Sequence, residues 1–164
     1  LAIAETEQRE YILRDALAQV ESAFDFIIID CAPSLSLITV NALCAAQSVL
    51  IPMQCEYYAL EGLADLSQTI DTINQTLNPE LHILGVLRTM YDGRNALAKD
   101  VSAELENYFG EKLFNTVIPR NVRLAEAPAH GVPVIYFEKS SKGAVSYLNF
   151  AAELVKKVKQ GAKA

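Results

Sequence analysis

The fold expected for this chain is decided by one stretch, Phe26-Ile27-Ile28-Ile29-Asp30-Cys31-Ala32-Pro33-Ser34. Its four consecutive apolar residues predict a strand that is buried on both faces, as in a parallel sheet. An aspartate at the end of such a strand lies where open α/β sheets bind their ligands, and in nucleotide hydrolases it helps to hold Mg²⁺. The alternative is that Asp30 only caps the following helix, and the motif alone favours neither interpretation.

The rest of the chain alternates between helical and extended patterns. Helices are predicted over 5–23, from Ser34 or Ser36 to Cys44, over 63–77, over 97–108 with Gly110 as the stop, and over 144–158. In addition to the strand at 26–30, strands are predicted at 48–52, 83–90 and 116–119, with a short fifth at 134–137. Strands that alternate with helices of this length need crossover connections. The sequence therefore predicts an α/β fold, a mostly parallel sheet flanked by helices, in a single domain over residues 1–164.

The composition is that of a globular protein. The chain has 164 residues, 51% of them hydrophobic, and its longest apolar runs are far too short to span a bilayer. Cys31, Cys44 and Cys55 form no CxxC pair, which predicts reduced thiols of a cytoplasmic protein and neither a disulfide frame nor a metal site. Because the chain begins at Leu1 and not at Met, we expect it to be a piece of a longer protein.

Charge is distributed unevenly along the chain. Residues 1–87 contain two basic and twelve acidic residues, whereas residues 88–164 contain twelve basic and eight acidic ones. The net charge of −6 argues mildly against nucleic acid as a partner, but the basic half hints at an anionic one. Arg94 begins a helix, and Arg120 and Arg123 flank a turn, positions that suit contact with phosphate. An ordinary solvated surface explains these residues equally well, and charge and spacing alone favour it.

Polar residues follow each of the four main predicted strands. Because the carboxyl ends of parallel strands share one edge of a sheet, we expect these residues to gather there, in the usual place for a nucleotide. They are Asp30, Pro33 and Ser34; Gln54, Cys55 and Glu56; Thr89, Met90, Tyr91 and Asp92; and Pro119, Arg120 and Asn121.

The glycine-rich loop that would complete a nucleotide site is missing from the sequence. Backbone N–H groups cradle phosphate in the motif G-x-x-x-x-G-K-[ST], and none of the seven glycines has that spacing. The sequence therefore does not predict that this chain binds ATP by itself. His82 and His130 have no Ser or Cys partner suggested by spacing and are interpreted as structural or surface residues.

Five ordered blocks of sequence resemble the ParA/Soj family of chromosome- and plasmid-partitioning ATPases. The blocks are FDFIIIDCAPSLSLITVNAL (24–43), VLIPMQCEYYALEGL (49–63), LGVLRTMYDGRNAL (84–97), TVIPRNVRLAEAPAHGVPV (116–134) and SKGAVSYLNFAAEL (141–154). That family has a deviant Walker A P-loop near its N-terminus, which this sequence does not contain. The resemblance therefore implies the C-terminal part of a deviant-Walker P-loop NTPase.

The resemblance also implies roles for particular residues. Asp30 matches the Walker B aspartate that supports Mg²⁺ through water, and Pro33 and Ser34 fall in the switch segment that senses the γ-phosphate. The nucleotide-binding residues would be Met90, at the end of the strand beside the purine, and Pro119 and Asn121, in the loop around adenine. The DNA-binding residues would be Arg94 and Arg123. Glu56 lies near the nucleotide and dimer face, without an assigned role.

The function that the resemblance implies is ATP hydrolysis coupled to DNA segregation. ATP and Mg²⁺ would drive formation of a homodimer that binds DNA nonspecifically on the nucleoid, and a ParB-type partner would stimulate hydrolysis. One alternative is a MinD-like positioning ATPase at the membrane, but the tail 155–164 has few large apolar residues for that role. Another is a non-catalytic remnant that only binds partners, whose unpaired strand edges would promote aggregation.

Overall fold

The computed structural model of the chain describes residues 7–32 and 34–161. Its strands are β1 (Ser48–Gln54), β2 (His82–Tyr91) and β3 (Leu113–Pro119). Its α-helices are α1 (Ile12–Leu17), α2 (Leu37–Ala45), α3 (Tyr57–Thr76), α4 (Ala96–Phe109), α5 (Val122–Glu126), α6 (Val134–Phe137) and α7 (Lys142–Gly161). The strands form a sheet in the order β1-β2-β3, with β2 and β3 parallel, which confirms the predicted α/β fold. No helix within the described ranges is long and apolar enough to cross a membrane.

The chain forms two compact units. The first combines the residues up to Val49 with Ala64–Ile83, and the second combines Leu50–Leu63 with the residues from Leu84 onward. The second unit contains most of the sheet together with α4 to α7. That all of residues 1–164 behave as one domain stays a prediction.

The core of the second unit lies between the sheet and α7. Leu87, Phe114, Ile118 and Phe150 form a buried cluster, and the rings of Phe114 and Phe150 meet edge to face with centroids 5.0 Å apart. Burial of such large apolar side chains is the main favourable contribution to folding, at about 1.5–3 kcal/mol for each. This packing attaches α7 to β3 and thereby fixes the outer strand of the sheet.

A carboxylate on α7 supplies β3 with hydrogen-bond acceptors. Glu153 accepts hydrogen bonds from the backbone N–H of Asn115 at 2.7 Å and of Thr116 at 2.9 Å. Partial burial raises the pKa of Glu153, but the hydrogen bonds from Thr116 and Asn115 outweigh it and hold the pKa below its ordinary value. Because β3 is an edge strand, these bonds satisfy N–H groups that would otherwise be open to pairing with another chain.

Two asparagines connect the elements of the first unit. Buried Asn41 donates from Nδ2 to the carbonyl of Arg9 at 2.7 Å and accepts at Oδ1 from the N–H of Leu13 at 3.1 Å. Asn78 donates to the carbonyls of Leu43 at 2.9 Å and Ala46 at 2.7 Å, which lie at the end of α2. Side-chain amides thus satisfy the backbone groups that a helix end leaves without partners.

The predicted helix ends are confirmed where the sequence contains a specific cap. Ser36, one of the two candidates for the start of α2, accepts at Oγ from the N–H of Thr39 at 3.3 Å. Gly110 follows the last residue of α4 and adopts a φ of +50°, a conformation that glycine tolerates better than other residues.

The predicted strand at 26–30 is wrong. Residues 26–30 are in neither a helix nor a strand, and Ile28 is 86% exposed. A buried strand needs a neighbour on each side to accept and donate backbone hydrogen bonds, and in the part of the chain that the structure describes the sheet consists of β1, β2 and β3 only. Residues 26–30 pair with none of these three strands.

Two further predictions about elements need correction. The continuous helix over 5–23 is interrupted: 3₁₀ turns at Arg9–Tyr11 and Glu21–Ala23 flank α1, and residues 5 and 6 lie outside the described ranges. The short fifth strand at 134–137 is instead helix α6, in which the carbonyl of Pro133 accepts from the N–H groups of Tyr136 and Phe137. Pro133 occupies the N-cap, where its missing N–H costs the helix no hydrogen bond and its carbonyl accepts the first bonds of the turn.

We expect Glu153→Ala to lower the free energy of unfolding by about 1–3 kcal/mol, because two backbone donors of β3 lose a charged acceptor. Urea denaturation at neutral pH measures the effect, and Gln160→Ala, an exposed change on the same helix, should alter it by less than about 0.5 kcal/mol. Because the pKa of Glu153 is lowered on folding, its contribution is complete at neutral pH and is lost as the pH falls through that lowered pKa. A deficit that persists undiminished in acid would contradict this assignment.

We expect Gly143→Ala to destabilise the protein by about 1–3 kcal/mol through overpacking. A Cβ at Gly143 would lie 2.6 Å from Cγ of Leu124, a branch point that moves only if the whole Leu124 side chain rotates about χ1. The matched change Gly62→Ala, within α3, has nothing within 4 Å of the new atom and should stabilise the protein by about 0.5–1 kcal/mol. Thermal denaturation of the two variants should give shifts of opposite sign, and shifts of the same sign would contradict the packing.

Candidate functional site

The carboxyl ends of the strands surround a polar cavity of about 220 Å³ in the second unit. It confirms that three of the four polar clusters predicted from the sequence lie together. The residues that line it are Gln54, Cys55, Glu56, Met90, Tyr91, Asp92, Asn95, Ala98 and Arg120.

Pairing between β2 and β3 sets the spacing of this site. Tyr91 pairs with Pro119, and the backbone N–H of Arg120 donates to the carbonyl of Tyr91 at 3.1 Å. The hydrogen bond brings the residues that follow β2 beside the residues that follow β3. Met90 and Asp92 therefore lie at the same cavity as Arg120.

The backbone at Met90 is strained. Its φ is +49°, and the register between β2 and β3 shifts between Arg88 and Tyr91. The left-handed region costs a residue with a Cβ about 1–2 kcal/mol, and such conformations cluster at sites that bind ligands. Met90 is partly exposed and lines the cavity, so an apolar side chain on this strained backbone lies where the resemblance implies a purine.

Asp92 and Arg94 form a bidentate ion pair beside the cavity. Nε of Arg94 donates to Oδ1 of Asp92 at 3.0 Å, Nη2 donates to Oδ2 at 2.8 Å, and the backbone N–H of Arg94 donates to Oδ1 at 3.1 Å. The hydrogen bonds from Arg94 lower the pKa of Asp92 to about 2. The side chain of Arg94 is 92% exposed, so the site assigned to DNA is accessible but already engages a carboxylate.

The residues after β3 combine structural contacts with exposure. Asn121 caps α5, with Oδ1 accepting from the N–H of Arg123 at 3.1 Å. Arg123 in turn donates from Nη1 to Glu126 at 2.6 Å. Pro119 lines a second cavity of about 430 Å³, together with Tyr91, Val117, Ser140, Lys142, Val145 and Ser146.

Arg120 is a lining residue that the sequence predicts at this edge, in a position that suits contact with phosphate, and to which the resemblance assigns no role. It is exposed, lines the polar cavity, and its positive charge contributes to lowering the pKa of Asp92. The available signal was its position in the Pro-Arg-Asn turn, at the end of a strand where ligands bind. Its place at the cavity follows from the β2–β3 register, which the sequence does not specify.

Arg88 of β2 connects the sheet to α4 near the same edge. Its guanidinium donates from Nη1 to Ser102 of α4 at 2.8 Å and from Nη2 to the carbonyl of Phe114 in β3 at 2.9 Å. These bonds connect α4 to the sheet, and α4 contributes Ala98 to the cavity wall. Burial raises the pKa of Cys55, while the charge of Arg88 opposes that shift, so the Cys55 thiol in the wall stays protonated.

Asp30 and Ser34 belong to the first unit. Asp30 is exposed in the segment that forms no strand, and the carbonyl of Ser34 accepts from Oγ1 of Thr39 at 2.6 Å, close to the start of α2. Pro33 lies outside the described residues. The histidines have structural contacts: His130 stacks on Phe137 at 4.7 Å, and Nδ1 of His82 is 3.1 Å from the carbonyl of Glu80.

Sequence similarity to known proteins identifies the family of the chain. Residues 1–83, half of the chain, match the family described as an AAA domain. The chromosome partitioning protein ParA of Myxococcus xanthus is 52% identical over 151 residues, which is 92% of this chain and 53% of that protein. The sporulation initiation inhibitor protein Soj of Bacillus subtilis is 51% identical over 154 residues, 94% of this chain and 61% of that protein. The chain belongs to the ParA/Soj family. It spans between 53% and 61% of the length of these two relatives.

Solved structures agree with the fold. Cobyrinic acid a,c-diamide synthase of Mycobacterium smegmatis, with bound ADP and magnesium, superposes with a TM-score of 0.78 at 35% identity, over 98% of this chain and 58% of that one. The cell division ATPase MinD of Pyrococcus furiosus superposes with a TM-score of 0.68 at 23% identity, over 92% of this chain and 58% of that one. The likeness to MinD concerns the fold alone.

The backbone strain at Met90 can be tested separately from the loss of its side chain. Met90→Gly and Met90→Ala both remove the side chain, but only glycine adopts a φ of +49° without cost. We expect the glycine variant to be more stable than the alanine variant by about 1 kcal/mol in urea denaturation. At the neighbouring Thr89, where φ is negative, the ranking should reverse and alanine should be the more stable. An alanine variant at Met90 that equals or exceeds the glycine variant would exclude the left-handed conformation.

Proposed function

We propose that this chain is the DNA-binding and adenine-binding part of a ParA/Soj-type ATPase that segregates DNA. The observation that carries the proposal is the polar cavity at the carboxyl ends of the strands, one of whose lining residues, Asp92, pairs with exposed Arg94. Membership in a family of chromosome-partitioning proteins supplies the context.

The cavity fits the base of a nucleotide better than the whole molecule. At about 220 Å³ it is smaller than the roughly 300 Å³ at which pockets for complete small ligands begin. Met90 would contact the purine from the strained end of β2, and Pro119 and Asn121 would complete the adenine loop after β3. The sequence contains no glycine-rich phosphate loop, so the residues present fit the base and not the phosphates.

Asp30, with Pro33 and Ser34, is the proposed Mg²⁺ and switch segment. The Asp30 carboxylate is exposed and is the type of oxygen ligand that Mg²⁺ prefers, either directly or through water. When bound, MgATP would supply the phosphoanhydride whose hydrolysis ends the DNA-bound state.

Arg94 and Arg123 are the proposed DNA contacts. Both side chains are at least half exposed; Arg94 lies in the turn after β2, and Arg123 lies in α5, the short helix that follows β3. Two such guanidinium groups contact phosphate without reading base edges, which supports nonspecific binding. Because each copy would offer only a few such contacts, a homodimer formed with ATP would double them and bind more tightly. Stimulation of hydrolysis by a ParB-type protein and residence on the nucleoid belong to the same proposal.

The end of α7 argues against a MinD-like role at the membrane. Between Val155 and Gly161 the exposed residues include Lys156, Lys159 and Gln160, while Val155 and Val158 are partly buried. A membrane-binding helix needs large apolar side chains on its exposed face, and residues 155–161 offer none. Exposed apolar residues of the first unit, among them Phe24, Phe26, Ile28, Leu35 and Ile38, support the alternative that this chain associates with a partner.

The arginine assignment predicts how a double charge reversal changes DNA binding. Arg94→Glu with Arg123→Glu should weaken binding of a duplex of arbitrary sequence at least about tenfold and reduce the slope of log K against log salt by about 2. Fluorescence anisotropy across a salt series measures both quantities. Arg14→Glu, which changes an exposed arginine of the first unit that also pairs with a carboxylate, is the matched control and should reduce binding far less. An unaltered slope in the double variant would remove these arginines from the interface.

A further inference from the structure

We infer that Asp92 restrains Arg94, so that the Nε–Nη2 edge of this residue contacts DNA phosphate only in competition with its own neighbour. The inference rests on the proposed function, because it concerns how tightly the same surface binds DNA. It assigns a role to a carboxylate for which neither charge distribution nor motif spacing predicts one.

The geometry shows which part of Arg94 is occupied. Its Nε and Nη2 atoms each donate to a different oxygen of Asp92, at 3.0 and 2.8 Å, so the carboxylate covers one edge of the guanidinium. A phosphate binds best when two parallel N–H groups of an arginine face two of its oxygens. While Asp92 is engaged, this side-on edge is occupied, and the two-donor edge left for phosphate is the end-on one formed by Nη1 and the second N–H of Nη2.

The local backbone holds the two residues together. Oδ1 of Asp92 also accepts from the backbone N–H of Arg94 at 3.1 Å, which closes a tight turn through Gly93. Asn95 accepts at Oδ1 from the N–H of Leu97 at 3.0 Å and starts α4 immediately after the pair. The carboxylate is thus positioned by one contact that does not depend on the guanidinium, the hydrogen bond from the backbone N–H of Arg94.

The electrostatic consequence is that Asp92 and Arg94 together carry no net charge, at a position where the motif indicates a positively charged residue. Asp92 remains ionised at neutral pH, since its pKa is lowered to about 2, and its negative charge offsets that of Arg94. A neutralised arginine displaces fewer counterions from DNA, so both affinity and salt dependence are lower than for a free one. An exposed pair of this kind is weak enough for phosphate to disrupt, so the restraint lowers affinity without abolishing binding.

A double-mutant cycle tests the restraint. Binding of a random-sequence duplex is measured across a salt series for the unchanged chain, Asp92→Asn, Arg94→Ala and the double variant. Asp92→Asn should tighten binding about two- to fivefold and steepen the salt slope by up to about 1, because Arg94 becomes free to replace a counterion. In the Arg94→Ala background the same change should have a smaller effect and leave the slope unaltered.

A matched control separates the restraint from a general change in charge. Glu104→Gln removes an equal charge from an exposed position on α4 that forms no ion pair in the described part of the chain, and its effect should equal that of Asp92→Asn without Arg94. Equal effects of Asp92→Asn in both backgrounds, or an effect no larger than that of Glu104→Gln, would overturn the inference. Weaker binding by Asp92→Asn would also overturn it, since Asp92 would then present Arg94 to DNA. Failure of every variant to bind DNA would instead refute the proposed function.

Discussion

Parallel pairing of β2 with β3 is the constraint on which the rest of the structure depends. Parallel strands cannot be joined by a tight turn, so the chain must cross over through α4 before it returns as β3. The crossover brings the carboxyl ends of both strands to one edge. The hydrogen bond from Arg120 to the carbonyl of Tyr91 joins the two segments that follow them. The cavity is a consequence of that placement, and Met90 and Asp92 lie at it.

The outer side of the sheet depends on α7. Phe150 packs on Phe114, and Glu153 accepts hydrogen bonds from two backbone donors of β3, so one helix contributes both apolar burial and polar satisfaction to the edge strand. Strand edges that remain open pair readily with other chains. Holding β3 in place also holds the turn that follows it, which contains the proposed adenine and DNA residues.

Local signals predicted those elements whose partners lie within the chain. The helix cap at Ser36, the helix stop at Gly110 and the three strands of the sheet follow from patterns of a few residues and from hydrophobic periodicity. The segment 26–30 has the same apolar pattern but forms no strand, because strand formation needs partners that the described residues do not provide. A hydrophobic pattern indicates which residues of a segment can be buried, and whether they are buried depends on the elements that surround the segment.

The candidate site likewise combines features that the sequence predicts with features that only the structure shows. That polar residues would meet at the carboxyl edge follows from the direction of parallel strands, and the resemblance to ParA/Soj supplied roles for individual residues. Neither source indicates that Arg94 is engaged by Asp92 or that Met90 is left-handed, because both depend on backbone geometry within a turn. These details bear on function, since they set how much positive charge and how much apolar surface the edge presents.

The most direct test of this account is backbone amide hydrogen exchange of the chain with and without duplex DNA of arbitrary sequence. If the carboxyl edge contacts phosphate, DNA should slow exchange at the start of α4, in residues 94–98, and in α5, in residues 122–126. Exchange in α2 of the first unit should be unchanged. Protection confined to the lysines at the end of α7, with no change in α4 or α5, would contradict the account.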